Sequence, residues 1–454
     1  MLRNLEERFI GELADHERAV YRHGACLFAL VLASYYMLRP IREQISATYG
    51  VKNLSWLFAA TFGVMLVAIP LYALLVGKYH RRKLVPSIYL FFISNLLIFW
   101  GVMKFGPEWA ESYFGEGAAA LVDLWSARCM YIWISVYGLF VVSFFWSIIG
   151  DMLSTSQGRK LFGVVAGGGT VGQLLGSQTA KLLAGRLGVE NLLLVPAGLL
   201  LVGLFVYQVL ERKHQKYVAS AATAKSGKAT GGNPFAGFTA IFKSRYLLAI
   251  AAFGMFLAIC GSTIYFQQSE IVDAAYQSLS DAEAKTAKTE YFAEIDFYVG
   301  IVTLCFQWII VGRLMRKCGL AFTLAILPIV YVVGIVSLSL SPTLAVLAVI
   351  SVIGRAAEYG ILNPSREVLF TSVNREDRYK AKSFIDTIVR RGGDAAVGNV
   401  YSGLREGAKL AMTTLSWMVV PLAVIWVGLA FFIGAENKRI SAKTNDPEPT
   451  SDED

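Results

Sequence analysis

Apolar runs of roughly twenty residues, separated by short polar breaks, recur along the whole chain. In the first half they lie at approximately 20–44, 54–76, 84–103, 127–149, 161–184 and 191–210. In the second half they lie at approximately 246–268, 292–311, 320–340, 343–362, 380–402 and 413–434. A helix of this length crosses the hydrocarbon core of a bilayer, and the runs lack the strict alternation a transmembrane strand requires. The pattern predicts an all-α polytopic membrane protein with about twelve transmembrane helices in two six-helix bundles, 19–210 and 246–435.

The flanking segments read differently. Residues 1–18 are charged but set Leu5, Phe9 and Leu13 on one face, as in an amphipathic helix on the cytoplasmic surface of the membrane. Residues 211–245 are rich in Lys, Ala, Gly and Ser and form a basic cytoplasmic linker. Residues 436–454 end NDPEPTSDED and are expected to be a disordered cytoplasmic tail.

Composition agrees: 55% of residues are hydrophobic and the mean hydropathy is +0.52, too apolar for a soluble globular chain. The net charge of +9 comes largely from loops that an inside N-terminus places in the cytoplasm. These hold Lys78, Arg81–Lys83, Arg159, Lys160, Arg212, Lys213, Arg313, Arg316 and Lys317, among others. The outside loops hold only Lys52, Lys104, Arg186, Lys285, Lys288, Arg405 and Lys409. That asymmetry predicts a multi-pass protein of the inner membrane with both termini cytoplasmic, and it accounts for the charge without a nucleic-acid partner. The five cysteines form no CxxC pair and the four histidines are scattered. Neither a metal site nor a nucleophile–base constellation emerges, so no enzyme activity, cofactor or metal is expected.

The two halves repeat. The second run ends GKYHRRK (Gly77–Lys83) and the eighth ends GRLMRKCG (Gly312–Gly319). The fifth contains AGGGTVG (Ala166–Gly172) and the eleventh RGGDAAVG (Arg391–Gly398). Six plus six helices, a basic central linker and a glycine-plus-basic loop after runs two and eight resemble the major facilitator superfamily. In that fold every third helix faces lipid, and runs 3, 6, 9 and 12 carry no interior charge here. The resemblance implies cytoplasmic gates built from Gly77, Arg81, Asp151, Arg159, Gly312, Arg316, Arg366 and Glu367. The formal GxGxxG at Gly167, Gly169 and Gly172 has no preceding strand, so it does not read as a dinucleotide site. Four-residue spacing through Gly163, Gly167, Gly168, Gly172 and Gly176 predicts close helix packing instead.

Charges inside the apolar runs mark a pathway, because a charge at membrane depth is costly unless it faces water or a partner. Arg39, Arg42 and Glu43 share about one turn of run 1, beside Pro40. Arg128 opens run 4. Arg355 and Glu358 are placed to pair at i, i+3 in run 10. In run 11, Lys382, Asp386, Arg390 and Asp394 recur every four residues with alternating sign, a stripe able to neutralise part of itself, with Arg391 and Lys380 adding positive charge. Glu294 and Asp296 adjoin an acidic outer loop and are expected to be solvated. Tyr35, Tyr36, Trp133, Tyr137 and Trp146 offer a stacking face for a ring, although packing in the core explains any one of them. Together Arg39, Arg42, Glu43, Arg128, Arg355, Glu358, Lys382, Asp386 and Arg390 compose a candidate site leaning positive, as a multiply anionic substrate requires.

LRPIREQ (Leu38–Gln44) and the stretch from Leu362 to Ala395 resemble two segments of the ATP/ADP antiporter family of plastids and intracellular bacteria. In the second, Asn363-Pro364-Ser365-Arg366-Glu367, Lys380-Ala381-Lys382, Ile385-Asp386 and Gly392-Gly393 stand where that family has Asp-Pro-x-Lys-Glu, Lys-x-Lys, Ile-Asp and glycines. Asn363 replaces the acid, and 131–146 and 246–268 hold no carboxylate, where characterised carriers use acidic residues in helices 4 and 7. The resemblance therefore implies a distant branch. It would be a monomeric secondary transporter among membrane lipids, exchanging a nucleotide-like or other phosphorylated anion for an anionic counter-substrate by alternating access. The alternatives are a proton-coupled transporter of another small molecule, with Glu358 and Asp386 relaying protons, and a non-transporting scaffold or lipid-binding protein acting through the basic linker.

Overall fold

The computed structural model describes residues 15–79, 81–153, 155–220, 244–373, 381–382 and 384–445. Residues 1–14 of the expected amphipathic segment, most of the linker and 446–454 of the expected tail lie outside these residues, whereas 436–445, expected to be disordered, continue the last helix to Asn445. The first part of the expected linker is helical, as the sixth helix runs on to Ser220.

The described chain is helical throughout, and the helices follow the apolar runs. They are α1 (Asp15–Thr48), α2 (Gly50–Lys78), α3 (Arg81–Phe114), α4 (Ala118–Met152), α5 (Thr155–Leu187) and α6 (Leu194–Ser220) in the first half. The second half has α7 (Arg245–Tyr276), α8 (Asp281–Cys305), α9 (Val311–Leu340), α10 (Leu344–Ala357), α11 (Arg390–Ser402) and α12 (Met412–Asn445). Among the described residues, nine helical stretches are long and apolar enough to cross a membrane; one of them, Asp281–Leu340, spans both α8 and α9. Only α5 and α11 fall outside that set, the first being rich in glycine and the second in charge. The helix continues through Pro40, and α9 bends at Gly319, whose φ of 79° suits glycine.

The outward faces of α3, α6, α9 and α12 are apolar. Phe91, Ile98, Leu201, Phe205, Ile329, Val333, Ile425 and Phe432 are all exposed. Exposed apolar bands on four helices without interior charge are surfaces made for lipid.

The helices cluster into two compact units. One comprises Met1–Thr48, Gly63–Thr230 and Tyr276–Phe297, and the other Tyr49–Phe62, Gly231–Ala275 and Tyr298–Asp454. In the first unit α1 and α5 run parallel at backbone contact. A Cβ on Gly168, Gly172 or Gly176 would strike the carbonyl of Ala25, Ala29 or Ala33 respectively, so both helices advance in steps of four. Gly163 and Gly167, expected to belong to this seam, have nothing within 4 Å of an added Cβ. The seam thus uses one face of the glycine run. Lipid tails are as apolar as leucine, so such close dispersion contact is what holds membrane helices together.

The second unit repeats the seam more loosely between α7 and the span ending in α11. Gly254 faces Ile385 at 3.4 Å, Gly393 faces Ala258 at 3.0 Å and Gly398 faces Phe266 at 3.1 Å, with side chains rather than backbone in contact. Four π-helical turns, Phe306–Ile310, Glu358–Leu362, Ile385–Val389 and Gly403–Gly407, lie in this unit.

Gly172→Ala should lower the stability of the purified protein by about 1–3 kcal/mol, because the methyl overpacks a backbone seam. Gly167→Ala should be neutral or stabilising by up to about 1 kcal/mol, since it fills open space on a helix. Thermal melts in detergent separate the two; equal melting temperatures for both variants would show that the seam does not hold α1 to α5.

Candidate functional site

The first unit gathers three of the expected residues. Arg39, Arg42 and Glu43 lie on one turn of α1 and are largely buried; Arg39 Nε is 3.8 Å and Arg42 Nη1 3.9 Å from Glu43 Oε1. Tyr131 of α4 lies beneath Arg42, with its ring centroid 4.9 Å from the guanidinium carbon and its hydroxyl 3.4 Å from Nη2. Tyr36 lies under Arg39 at 5.9 Å. A guanidinium over a tyrosine face gains cation–π attraction and keeps its fork in a fixed plane.

A fourth member was expected in solvent. Asp296 of α8 is 1% exposed, and its Oδ1 accepts a hydrogen bond from Arg39 Nη1 at 2.8 Å. Its backbone carbonyl accepts from the buried Gln173 side chain at 3.3 Å. Gln173 follows Gly172 on α5, so the glycine seam carries it to this point. Glu294, two residues before Asp296, is half-exposed and pairs with Lys181 at 3.1 Å, which fits the solvated expectation for that residue alone. The four charges, Arg39, Arg42, Glu43 and Asp296, sum to zero.

Arg128 lies over the ring of Trp125, one turn back on its own helix, at 4.9 Å. The expected aromatic face is mostly core. Trp133 and Tyr137 stack at 5.2 Å, Phe92 packs edge-on to both, and Tyr137 bonds Ser34.

In the second unit the charge stripe is neutralised across helices. Glu358 pairs with Arg390 of the next span. Arg366 Nη1 meets Asp386 Oδ1 at 2.7 Å, and Lys382 Nζ meets Glu367 Oε1 at 2.6 Å. These pairs form three rungs between two antiparallel spans. Exposure of the acid on the first and last rungs rises from 9% at Glu358 to 57% at Glu367. The innermost pair involves Glu358, which opens one π turn, and Arg390, which follows another. Asp394 accepts from Ser262 of α7 at 3.1 Å and lies 4.0 Å from Arg391. Arg355 is half-buried. The ladder joins Arg366 and Glu367, expected in a gate, to Lys382 and Asp386, expected at the substrate.

The remaining gate residues behave unequally. Arg81 Nε and Arg82 Nε each meet a carboxylate oxygen of Glu211, within α6, at 3.2 Å. Arg316 instead donates to the Gly312 carbonyl of its own helix at 3.2 Å. Gly77 lies near the end of α2, and Asp151 is exposed at the end of α4. The Arg159 side chain lies outside the described residues.

At the far end of α11, Arg405 grips Glu270 through Nη2 at 2.8 Å and Nε at 3.0 Å, and Tyr401 donates to the same carboxylate at 3.3 Å. The hydrogen bond to Glu270 raises the Arg405 guanidinium above its usual range. Surface clefts of about 550 and 470 Å³ flank this pair.

No protein-family model matches the chain. Two proteins of Chlamydia pneumoniae are similar to it in sequence. ADP,ATP carrier protein 1 is 20% identical over 353 residues, covering 68% of this chain and 67% of the relative. ADP,ATP carrier protein 2 is 19% identical over 378 residues, covering 71% and 68%. Among solved structures, a bacterial homolog of the human lysosomal transporter Spinster aligns over 97% of this chain and all of its own, at 15% identity and TM-score 0.50. The nucleoside transporter NupG, solved as a point mutant, aligns over 94% of this chain and all of its own, at 13% identity and TM-score 0.52. These likenesses to transporters join a helical fold with apolar outer faces and charges held inside it. The chain has a polytopic all-α membrane fold like that of major facilitator transporters and a distant likeness in sequence to the ADP,ATP carriers.

Proposed function

We propose that this chain is a secondary active transporter of the inner membrane, with both termini cytoplasmic, that exchanges a nucleotide-like or other phosphorylated anion for an anionic counter-substrate by alternating access. The observation that carries the reading is the buried turn of α1. Two guanidinium groups there are each oriented by a carboxylate and a tyrosine face. A planar fork of donors matches a phosphoryl group bidentately, and preorganisation lowers the entropy cost of capturing it. The named relatives carry ADP and ATP, which present such groups. Asn363 and the carboxylate-free stretches 131–146 and 246–268 favour a phosphorylated substrate other than ATP.

The ladder that sets Glu358, Arg366 and Glu367 against Arg390, Asp386 and Lys382 supplies a gate in this reading. Its outer rungs are half-exposed pairs, each worth about 0–1 kcal/mol, and can open and close at little cost. Its inner rung is buried at Glu358. There a lone charge is strongly unfavourable, so this pair sets how far the hairpin can part.

In proteoliposomes preloaded with ADP or another phosphorylated metabolite, labelled substrate should enter by exchange. Arg39→Gln or Arg42→Gln should slow it by about 10–100-fold, the loss of one or two charge-assisted hydrogen bonds. Wild-type rates in both variants would end the anion reading, and uptake that collapses with the proton gradient would favour proton coupling instead.

Glu358→Gln or Arg390→Gln alone should destabilise the protein by about 3–5 kcal/mol by stranding a partly buried charge. The Glu358→Gln/Arg390→Gln double variant should recover most of that, whereas Lys382→Gln should cost less than about 1 kcal/mol. Denaturation midpoints test this; independent, additive effects of the two inner-rung changes would rule the pair out.

A further inference from the structure

Asp296 lies outside the residue set that the sequence motifs single out. Among the described residues it is the most buried carboxylate in ion-pair contact with the α1 arginines, at 1% exposure. It approaches from a segment distant in sequence, and Gln173 fixes the backbone on which it stands. Two further ion pairs on this segment, Lys285–Asp123 at 3.2 Å and Lys181–Glu294 at 3.1 Å, involve side chains 28–44% exposed. Pairs of that kind contribute little to holding the segment. The buried bond from Arg39 to Asp296 is different in kind.

We propose that Asp296 is a resident counter-anion: its carboxylate occupies the Arg39 fork that an incoming phosphoryl group would take, so substrate binds by displacing it. This deepens the anion-exchange reading and rests on it. A carboxylate presents two oxygens to a guanidinium much as a phosphoryl group does, and 2.8 Å from Nη1 to Oδ1 is the length of a charge-assisted hydrogen bond. Two arginines buried without partners would be strongly unfavourable. Glu43 and Asp296 bring the group to zero net charge when no substrate is bound. Glu43 sits one turn along the same helix as Arg39, at 3.8 Å, and moves with it. Asp296 comes from another helix and is the partner able to withdraw. A site neutralised in this way selects for anions that outcompete a single carboxylate, which favours substrates with more than one negative charge.

The sign of the effect separates displacement from simple positioning. If Asp296 competes with substrate, removing its charge strengthens anion binding; if it only orients Arg39, removal weakens binding. Inorganic pyrophosphate and ADP serve as probes, titrated calorimetrically into the full-length protein in nanodiscs. Asp296→Asn should bind pyrophosphate about 10-fold more tightly than wild type, and Asp296→Ser should shift affinity in the same direction. Asp296→Glu, which keeps the competing charge, should stay near wild type. Glu294→Gln should leave affinity unchanged, and adding Arg39→Gln to Asp296→Asn should abolish the gain. Equal or weaker binding by Asp296→Asn, while the wild type binds pyrophosphate or ADP and exchanges ADP, overturns the counter-anion and leaves the transport reading standing. Absence of pyrophosphate and ADP binding in wild type and Asp296→Asn alike overturns both.

Discussion

Backbone contact between α1 and α5 is the constraint on which the first unit depends. Gly168, Gly172 and Gly176 let α5 lie directly on the carbonyls of Ala25, Ala29 and Ala33. No larger residue fits, and without a hydrophobic force between helices in lipid, this contact sets their register. Two consequences follow along the same helices. Beyond Ala33, α1 presents Arg39, Arg42 and Glu43. Beside Gly172, α5 presents Gln173, which holds the backbone of Asp296. The seam is apolar and the site is charged, but the first fixes where the second forms.

The second unit keeps the parallel packing and changes what it carries. Gly254, Ala258 and Phe266 of α7 meet Ile385, Gly393 and Gly398 through side chains, so the helices are held less rigidly than at a backbone seam. Charge takes over the specifying role. Glu358, Arg366 and Glu367 face Arg390, Asp386 and Lys382 in order. Opposite charges in register favour one alignment of the two spans, because a shifted alignment would strand the buried Glu358. The π turns at Glu358–Leu362 and Ile385–Val389 lie within this ladder. Such turns insert a residue into the helical ladder and recur at functional positions.

Much of this was legible in the sequence because it depends on local pattern. Span length, the paired Gly-basic loops and the lipid-facing helices are statements about contiguous residues. So is the clustering of Arg39, Arg42 and Glu43, which one helical turn guarantees. Three features were not legible, each for a physical reason. Asp296 sits two residues from the half-exposed Glu294 in a polar stretch, and its burial depends on α1 and α5, far away in sequence. The run-11 stripe has the spacing to pair with itself, but helix geometry alone does not say whether an opposing span offers better partners. Gly163 and Gly167 share the four-residue period of the glycine run, yet the seam uses the face holding Gly168, Gly172 and Gly176. Periodicity identifies a candidate face; the neighbouring helix decides how much of it is used.

The charged groups of the two units differ in how they are neutralised. In the first, Arg39 and Arg42 are balanced by one carboxylate on their own helix and one on another. In the second, each rung pairs one cation with one anion across two spans. A one-to-one rung offers an incoming anion a single cation. Two adjacent guanidinium groups can bind one polyanion together while their carboxylates move apart to other donors. In the proposed transport reading, that asymmetry favours the α1 turn as the place where substrate is read and the ladder between Glu358–Glu367 and Lys382–Arg390 as the place where movement is limited.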